Sequence, residues 1–442
     1  MKLLFIFLLF IIIQHCSFDN KSGIWSNDQN QSDSIDKNII FKDFKTLIPD
    51  ERSFNKIINL EKNFKFFLPN LVNNLNWNDK FYNYDNNLKN FKYKNINKQI
   101  FKSKKISKFK INDTILYVNE NAILSDNKGN IIIYSIKENK INYKFNFYKG
   151  RFKKISKSLN IILEKNIIYV SDNIGFLYAF DLENKSIKWA KNYKIPFRSN
   201  LKIQNEKLIA VNQNNEFIFF NKNSGEILKS LPTEDNIIKN EFKNILSLNK
   251  GNVFLINTYG SLYSIDSKSM QMNWFSNFNQ SLSINPSNLF KGNLLINNEE
   301  KIILTSNNNT YIVNMNGVIL TKKNFSYKIN PILLKNYLFL ITKNDLLISM
   351  DINSGKIIYS YNINQKISEY LNIKEKRVKF KKLLIANNKI LIFLSNSYLL
   401  IFNIDGSLEN VKKLPSKIQS NPIIVNETIL YLSNNNKLSI VN

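Results

Sequence analysis

The stretch IIYVSDNIGFLYAFDLENKSIKW (residues 167–189) predicts three short strands joined by two tight turns. Gly175 in the first turn can take the positive φ that a hairpin needs. The middle strand (176–180) is apolar on both faces, as expected for a strand buried between two layers. In the third strand, the period of two predicts that Ile187 and Trp189 share one face. Such a meander cannot bury both of its faces alone, so it requires neighbours of the same kind.

The same pattern recurs along the chain with a period of about 44 residues. In four copies, an Asp or Ser precedes an aromatic residue by eight positions: Asp181 and Trp189, Asp266 and Trp274, Asp351 and Tyr359, Ser135 and Tyr143. Aligned on their first turn, eight units have these turn residues: Gly129, Gly175, Asn215, Gly260, Asn309, Asn344, Asn396 and Asn435. This recurrence predicts that the aspartates hydrogen-bond the turn backbone and that the tryptophans lie between units.

Each unit has three recognisable strands and a fourth in its lead-in, which predicts an all-β fold, an eight-bladed β-propeller with PQQ/WD40-like repeats. The last unit shows two strands before the chain ends at Asn442. We therefore predict that residues 71–110 supply the missing strands and close the ring. Closure also removes open strand edges, which would otherwise promote aggregation.

The net charge is +28, from 62 Lys and Arg residues against 34 Asp and Glu residues. Such a balance is compatible with a nucleic acid or an anionic membrane as partner. The charge is almost entirely Lys, however, and it is spread evenly, as codon bias in an AT-rich genome produces. Base recognition favours Arg, and the sequence contains no Arg cluster. We therefore predict no nucleic-acid partner.

The N-terminus has an apolar run at residues 3–13, too short to span a bilayer and typical of a signal peptide. Cys16, the only cysteine, follows it and resembles the lipidated cysteine of bacterial lipoproteins, although Gln14 and His15 stand where small residues are usual. The predicted organisation is a signal peptide (1–15), a lipid-anchored flexible tether and N-terminal extension (16–70), and a propeller (71–442). An ordinary signal peptide or an uncleaved anchor is the alternative.

The segments DLENKSIKW, DSKSMQMNW and DINSGKIIY resemble the PQQ-type propeller repeat, and among its families the chain resembles BamB over residues 68–442. The resemblance implies a non-enzymatic lipoprotein scaffold of the outer-membrane β-barrel assembly (BAM) machinery. It would bind the periplasmic POTRA domains of a BamA-like, barrel-forming subunit and assist unfolded outer-membrane proteins. Its place would be the periplasmic side of the outer membrane of a Gram-negative bacterium, anchored through the lipid.

The resemblance also implies partner-binding residues in two loops. One family loop carries an apolar-x-apolar-Arg stretch, matched here by Ile195, Phe197 and Arg198. A second carries two acids spaced by one residue, matched by Glu241, but Lys243 replaces the second acid. The alternative is that both segments only connect blades.

The sequence predicts no enzyme activity, since His15 is the only histidine and Cys16 the only cysteine. After removal of a signal peptide no imidazole would remain for general-base chemistry or a transition-metal site. We therefore expect no catalytic residue, no cofactor and no metal. Two alternatives stay open: a PQQ-binding quinoprotein-like enzyme, and a cell-envelope propeller that binds polysaccharide or another ligand.

Overall fold

A computed structural model describes residues 53–96, 98–234, 243–278, 295–298, 300–306 and 308–442, together with two short strands near the N-terminus. Those two strands, Ser17–Phe18 (β1) and Trp25–Ser26 (β2), pair antiparallel with each other. Cys16 and the remainder of residues 1–52 lie outside the described residues. Within the described part of the chain, no helix combines the length and apolarity needed to cross a membrane.

Eight antiparallel sheets follow one another along the chain and form the predicted eight-bladed propeller. Two strands precede them, Asn90–Phe91 (β3) and Gln99–Lys102 (β4). Blades 1 to 4 consist of Leu116–Val118, Asn121–Ser125, Asn130–Ser135 and Lys140–Asn146 (β5–β8); Leu159–Glu164, Ile167–Asp172, Phe176–Asp181 and Ser186–Asn192 (β9–β12); Lys202–Gln204, Lys207–Val211, Phe217–Asn221 and Ile227–Leu231 (β13–β16); Ile245–Asn249, Asn252–Ile256, Ser261–Asp266 and Gln271–Asn277 (β17–β20).

Blades 5 to 8 consist of Leu295–Asn297, Lys301–Thr305, Thr310–Asn314 and Ile319–Lys323 (β21–β24); Ile332–Leu334, Tyr337–Ile341, Leu346–Asp351 and Ile357–Asn362 (β25–β28); Phe380–Ala386, Lys389–Leu394, Tyr398–Asn403 and Leu408–Lys413 (β29–β32); Ile423–Val425, Thr428–Leu432 and Leu438–Val441 (β33–β35). A 3₁₀ helix, Gly150–Lys153, joins blades 1 and 2, and helix α1, Ile363–Leu371, joins blades 6 and 7. The side chain of Asn362 caps α1 by accepting the backbone N–H groups of Asn364 and Gln365.

The N-terminal part of the chain closes the ring, as predicted. β4 pairs antiparallel with β35 and becomes the fourth, outermost strand of blade 8. β3 adds a short parallel pairing to β29 of blade 7. Blade 8 thus combines β4, from the N-terminal part of the chain, with β33–β35, from its C-terminal end. Unfolding this blade requires separating these two parts of the chain.

The turn between the last two strands of a blade is fixed by the recurring aspartate. Asp181 Oδ1 accepts the backbone N–H groups of Glu183 and Asn184 at 2.9 and 3.0 Å. Asp351 accepts two backbone N–H groups of its own turn at 2.8 Å each. The prediction that these aspartates hydrogen-bond the turn backbone is therefore confirmed.

A β-bulge in the outermost strand corrects one detail predicted from the period of two. The register between β11 and β12 shifts at Ala179/Phe180, so that Ile187 pairs with Phe180 and Trp189 with Ala179. Neighbouring residues of a strand point to opposite faces, so the prediction that Ile187 and Trp189 share a face is wrong. The extra residue, Lys188, reverses the alternation.

The bulge turns the recurrent tryptophans toward the next blade, which confirms their predicted place between units. Trp189 Nε1 donates to the carbonyl of Lys222 at 2.9 Å, and a Cβ at Gly225 would lie 2.4 Å from the indole ring. Trp274 Nε1 donates likewise to the carbonyl of Met315 at 2.8 Å. Blades 2 and 4 are thus each joined to the next blade by a tryptophan that packs against one of its turns.

The positive φ of the first turn falls on the predicted residue in half of the blades. Gly129, Gly175, Asn215 and Gly260 have φ between 63° and 107°. In blades 6, 7 and 8 the left-handed residue is the next one along the chain: Asp345, Ser397 and Asn436. Adjacent polar residues offer two candidates there, and the pairing of the flanking strands decides between them.

Candidate partner-binding loops and central channel

The two loops predicted to contact a partner lie side by side. Residues 195–198 precede blade 3, and Lys243 and Asn244 precede blade 4. Ser199 pairs with Asn244 in a parallel bridge, and the backbone N–H of Asn244 donates to the carbonyl of Arg198 at 2.7 Å. Glu241 itself lies outside the described residues. The tertiary structure therefore brings Arg198 next to the end of the second loop.

Within the first loop, Phe197 has a structural environment. Its side chain is 2% exposed and lies edge-on to Tyr193 and Phe220, at 5.9 and 6.1 Å between ring centroids. Its backbone N–H donates to the carbonyl of Asp172 at 2.9 Å. Ile195 is half-buried against Gly175, where a Cβ would lie 2.9 Å from the Ile195 nitrogen. Both residues fix the path of the loop.

Arg198 is the half-buried cation of this loop. Its Nη2 donates to Gln213 Oε1 at 3.4 Å, a long hydrogen bond. Its Nε is buried and has no hydrogen-bond partner among the described residues. A planar guanidinium is suited to a carboxylate or a carbonyl, and because the Nε is closed to solvent, an acceptor from outside would bind the Nη groups.

An axial segment, residues 72–90, fills the centre of the ring, and the repeat analysis missed it. It reaches the first strand of seven blades, which shows that these first strands are innermost. The contacts are Asn74 with Ile424, Trp77 with Tyr117, Asn78 with Leu163, Asp79 with Lys202, Asn86 with Leu246, Asn87 with Leu333, and Asn90 with Ile385. Three of these contacts are hydrogen bonds from asparagine amides to backbone carbonyls. The Asn-rich composition does not reveal this role, because asparagine is also typical of surface loops.

A cavity of about 560 Å³ lies at one mouth of the channel, between the axial segment and the starts of the innermost strands. Its charged lining residues are Lys80, Lys243, Lys328, Lys381, Lys382 and Asp113. No sequence pattern predicts this cluster, because its lysines come from the axial segment, two blade connections and strand β29. Asn200, two residues after Arg198, also lines the cavity, so the partner-binding loops border the same mouth.

The charge of the channel mouth bears on whether a quinoprotein-type cofactor fits there. Such a centre would need oxygen ligands for a divalent cation, and no group of three or more His, Cys, Asp or Glu side chains occurs in the described ranges. The described mouth of the channel presents five lysines against one carboxylate. Like charge would repel the cation, so the residues present do not fit a metal–quinone cofactor.

Tyr148 is a tyrosine whose pKa is raised by its place between two blades. Burial raises the pKa of Tyr148 above its usual range, and the nearby Tyr178 and Asp172 raise it further. Tyr148 Oη donates to Asp172 Oδ2 at 2.5 Å and so joins the end of blade 1 to a turn of blade 2. This hydrogen bond is part of blade packing and lies away from the channel.

Comparisons with known proteins match the described architecture. The family model for the outer membrane protein assembly factor BamB matches residues 149–361, a range that includes both predicted contact loops. No curated protein sequence matches the chain.

Solved structures share the fold at low sequence identity. BamB from Moraxella catarrhalis superimposes with a TM-score of 0.62 and 12% identity over 78% of this chain and 100% of that chain. The quinohemoprotein alcohol dehydrogenase from Comamonas testosteroni gives 0.59 and 10% over 83% of this chain and 80% of its own. The computationally designed Ika8 protein gives 0.56 and 8% over 77% and 99%. The resemblance to PQQ-type repeats predicted from DLENKSIKW is confirmed.

Proposed function

We propose that this protein, a BamB-like propeller of PQQ-type repeats, is a non-catalytic scaffold in outer-membrane β-barrel assembly. One observation carries the proposal: the Ser199–Asn244 bridge joins the two loops that the BamB resemblance marks as contacts. Arg198 lies at this junction with its guanidinium half-buried and one long hydrogen bond to Gln213. The proposed partner is a POTRA domain of a BamA-like subunit, which would supply the acceptor for Arg198.

Unfolded outer-membrane proteins are the proposed clients, bound at the outermost strands of the blades. Such a strand has one free edge, and an extended chain can add to it by β-augmentation. β24 of blade 5 exposes Ile319 and Leu320 at 47% and 50%, and β16 of blade 3 exposes Ile227 and Leu228 at 49% and 43%. Apolar side chains beside a free edge favour a client rich in alternating apolar residues.

The proposed location is the periplasmic side of the outer membrane of a Gram-negative bacterium, with the lipid on Cys16. The supporting sequence is the apolar run that ends just before this residue and the polar tether after it. Metabolic labelling with a palmitate analogue tests the anchor: label should enter the wild type and not Cys16→Ser. Equal labelling of both proteins would refute lipidation at Cys16.

Co-purification after mild crosslinking tests the scaffold role. Wild-type protein should recover the barrel-forming subunit, and Arg198→Glu should not. Arg151→Glu is the matched control, because Arg151 is an exposed arginine in another blade connection and undergoes the same change of charge. Recovery of no assembly subunit by the wild type would refute the proposal. Equal losses with both variants would refute the role of Arg198.

A PQQ-dependent enzyme is the second candidate, favoured by the fold shared with the quinohemoprotein dehydrogenase. Adding PQQ and Ca²⁺ to the purified protein and recording the absorption spectrum would decide it. We expect no Ca²⁺-dependent shift of the quinone bands, because the channel mouth offers one carboxylate and five lysines to a divalent cation. A saturable spectral shift would refute the non-catalytic assignment.

A further inference from the structure

The cavity at the channel mouth has an uncompensated positive charge that the scaffold role does not use. Its five lining lysines converge from four parts of the chain, and Asp113 is the single acid among the described lining residues. Asp113 is itself exposed and is 3.4 Å from Lys381 Nζ, so it neutralises one ammonium at most. Lys328 is paired with Asp345, outside this set. The ammonium groups of Lys80 and Lys382 have no ion pair or hydrogen bond with any described residue.

Lys382 is the most informative of these residues. It is 6% exposed, and burial, with Lys80 nearby, lowers its pKa to about 8. Burial, with Lys243 nearby, likewise lowers the pKa of Lys80 to about 8, despite the opposing effects of Asp113 and Asp79. An unpaired ammonium in such a place is costly, so a resident counter-ion would stabilise it.

Lys202, also buried, differs from Lys382 because its ammonium group is paired with a carboxylate. Lys202 is 1% exposed, but Asp79 Oδ2 accepts a hydrogen bond from its Nζ at 2.6 Å, and the carbonyl of Asn83 accepts a second at 2.9 Å. The charge of this buried lysine is therefore compensated by a carboxylate. Lys382 lacks one and faces a cavity.

A bulge brings a second lysine to the same wall. The pairing of β29 with β30 shifts between Phe380 and Lys382, which leaves Lys381 as the extra residue. A bulge can re-aim side chains, so that consecutive residues reach one side of a strand. Lys381 and Lys382 both line the cavity, although a regular strand would point them to opposite faces.

We propose that this cavity binds a compact multivalent oxyanion of the phosphate class, held by Lys80, Lys381 and Lys382. Lysine binds phosphate as a point charge, and Asn330 and Asn421, whose amide groups can donate hydrogen bonds, line the same cavity. A volume of about 560 Å³ fits a small molecule or a lipid headgroup, not a folded domain. The proposal goes beyond the scaffold role and stands without it.

Isothermal titration of the purified full-length protein with sodium pyrophosphate at low salt tests the site. We expect saturable binding with a Kd of about 100 µM or tighter, weakened about tenfold or more in Lys382→Met and Lys80→Met. The matched control, Lys229→Met, removes an exposed lysine from the outermost strand of blade 3 and should change the Kd less than about twofold. Thermal unfolding without anion shows whether each variant is folded.

Three results would overturn the proposal. They are no saturable binding up to about 1 mM pyrophosphate, unchanged affinity in folded Lys382→Met, and an equal loss in the Lys229→Met control, which would indicate general surface charge. Because binding needs protonated lysines, affinity for sulfate, which does not titrate in this range, should fall as pH rises through 8. The groups that set this dependence are Lys80, Lys243, Lys328, Lys381, Lys382, Asp79 and Asp113.

A second arm distinguishes the two sources of the phosphate. Flotation with phosphatidylcholine vesicles, with and without phosphatidylglycerol, measures binding to a lipid headgroup. Lipid-dependent flotation that pyrophosphate displaces and Lys382→Met abolishes assigns a lipid phosphate to the cavity. Pyrophosphate binding without flotation assigns a soluble phosphorylated molecule. Flotation that Lys382→Met leaves unchanged excludes the cavity as the lipid site.

Discussion

Replacing Asp79 with asparagine is expected to destabilise the protein by about 3–5 kcal/mol, the cost of breaking a buried ion pair from one side. Asp79 and Lys202 are 2.6 Å apart, and their side chains are 8% and 1% exposed. Asparagine keeps an oxygen for the backbone N–H of Phe81, which Asp79 Oδ1 accepts at 2.8 Å. The change therefore removes the charge and preserves the local turn, leaving the Lys202 ammonium with the Asn83 carbonyl alone.

The magnitude can be converted into a melting temperature. The compact unit spans residues 52–442, and an unfolding entropy of about 2.1 cal/mol/K per residue gives roughly 0.8 kcal/mol/K. A loss of about 3–5 kcal/mol then lowers the melting temperature by about 4–6 °C. Because Asp79 belongs to the axial segment, hydrogen exchange should also speed up most within residues 72–90.

Calorimetry of three variants tests the reasoning. Asp79→Asn and Lys202→Met should each be destabilised, and the double variant should recover to within about 1–2 kcal/mol of wild type, because no buried charge remains. Asp113→Asn is the matched control: its pair with Lys381 is exposed and should be worth less than about 1 kcal/mol. An Asp79→Asn protein that melts within about 1 °C of wild type would refute the assigned role of the pair.

Three further predictions concern the blade contact and the channel lysines. Gly225→Ala should lower the free energy of unfolding by about 2 kcal/mol or more in chemical denaturation, because its Cβ would lie 2.4 Å from the Trp189 ring. Gly251→Ala, also at positive φ but with open space around it, should lower it by about 1 kcal/mol. Equal losses in the two variants would refute the clash. Trp189→Phe should lower the free energy of unfolding by about 1 kcal/mol, because the indole hydrogen bond is lost. An unchanged denaturation midpoint would contradict a stabilising role for this hydrogen bond. Lys382→Met should be more stable than wild type by roughly 3 kcal/mol at pH 7. Because the folded-state pKa of Lys382, about 8, lies below its unfolded value, wild-type stability should rise between pH 8 and 10.5 and the difference between the two proteins should narrow. A difference that stays constant over this pH range would contradict the buried charge.

The sequence by itself determined the repeat and hence the fold. The Asp or Ser at the second turn of four units and the aromatic residue eight positions later are local features. Local hydrogen bonds such as those from Glu183 and Asn184 to Asp181 form wherever the turn forms. The missing strand of the last unit likewise predicted closure by the N-terminal part of the chain. Turn chemistry and strand periodicity act over a few residues, so a single sequence displays them.

Only the tertiary structure decided which side chains face the channel and which loops meet. The bulge at Lys188 sends Trp189 to the neighbouring blade, and no local signal distinguishes it from a regular strand. Asp79 and Lys202 are 123 positions apart, and their pairing depends on the axial segment entering the ring. The Ser199–Asn244 bridge and the cluster around Lys382 likewise arise from ring closure, because it sets distances between residues that are remote in sequence.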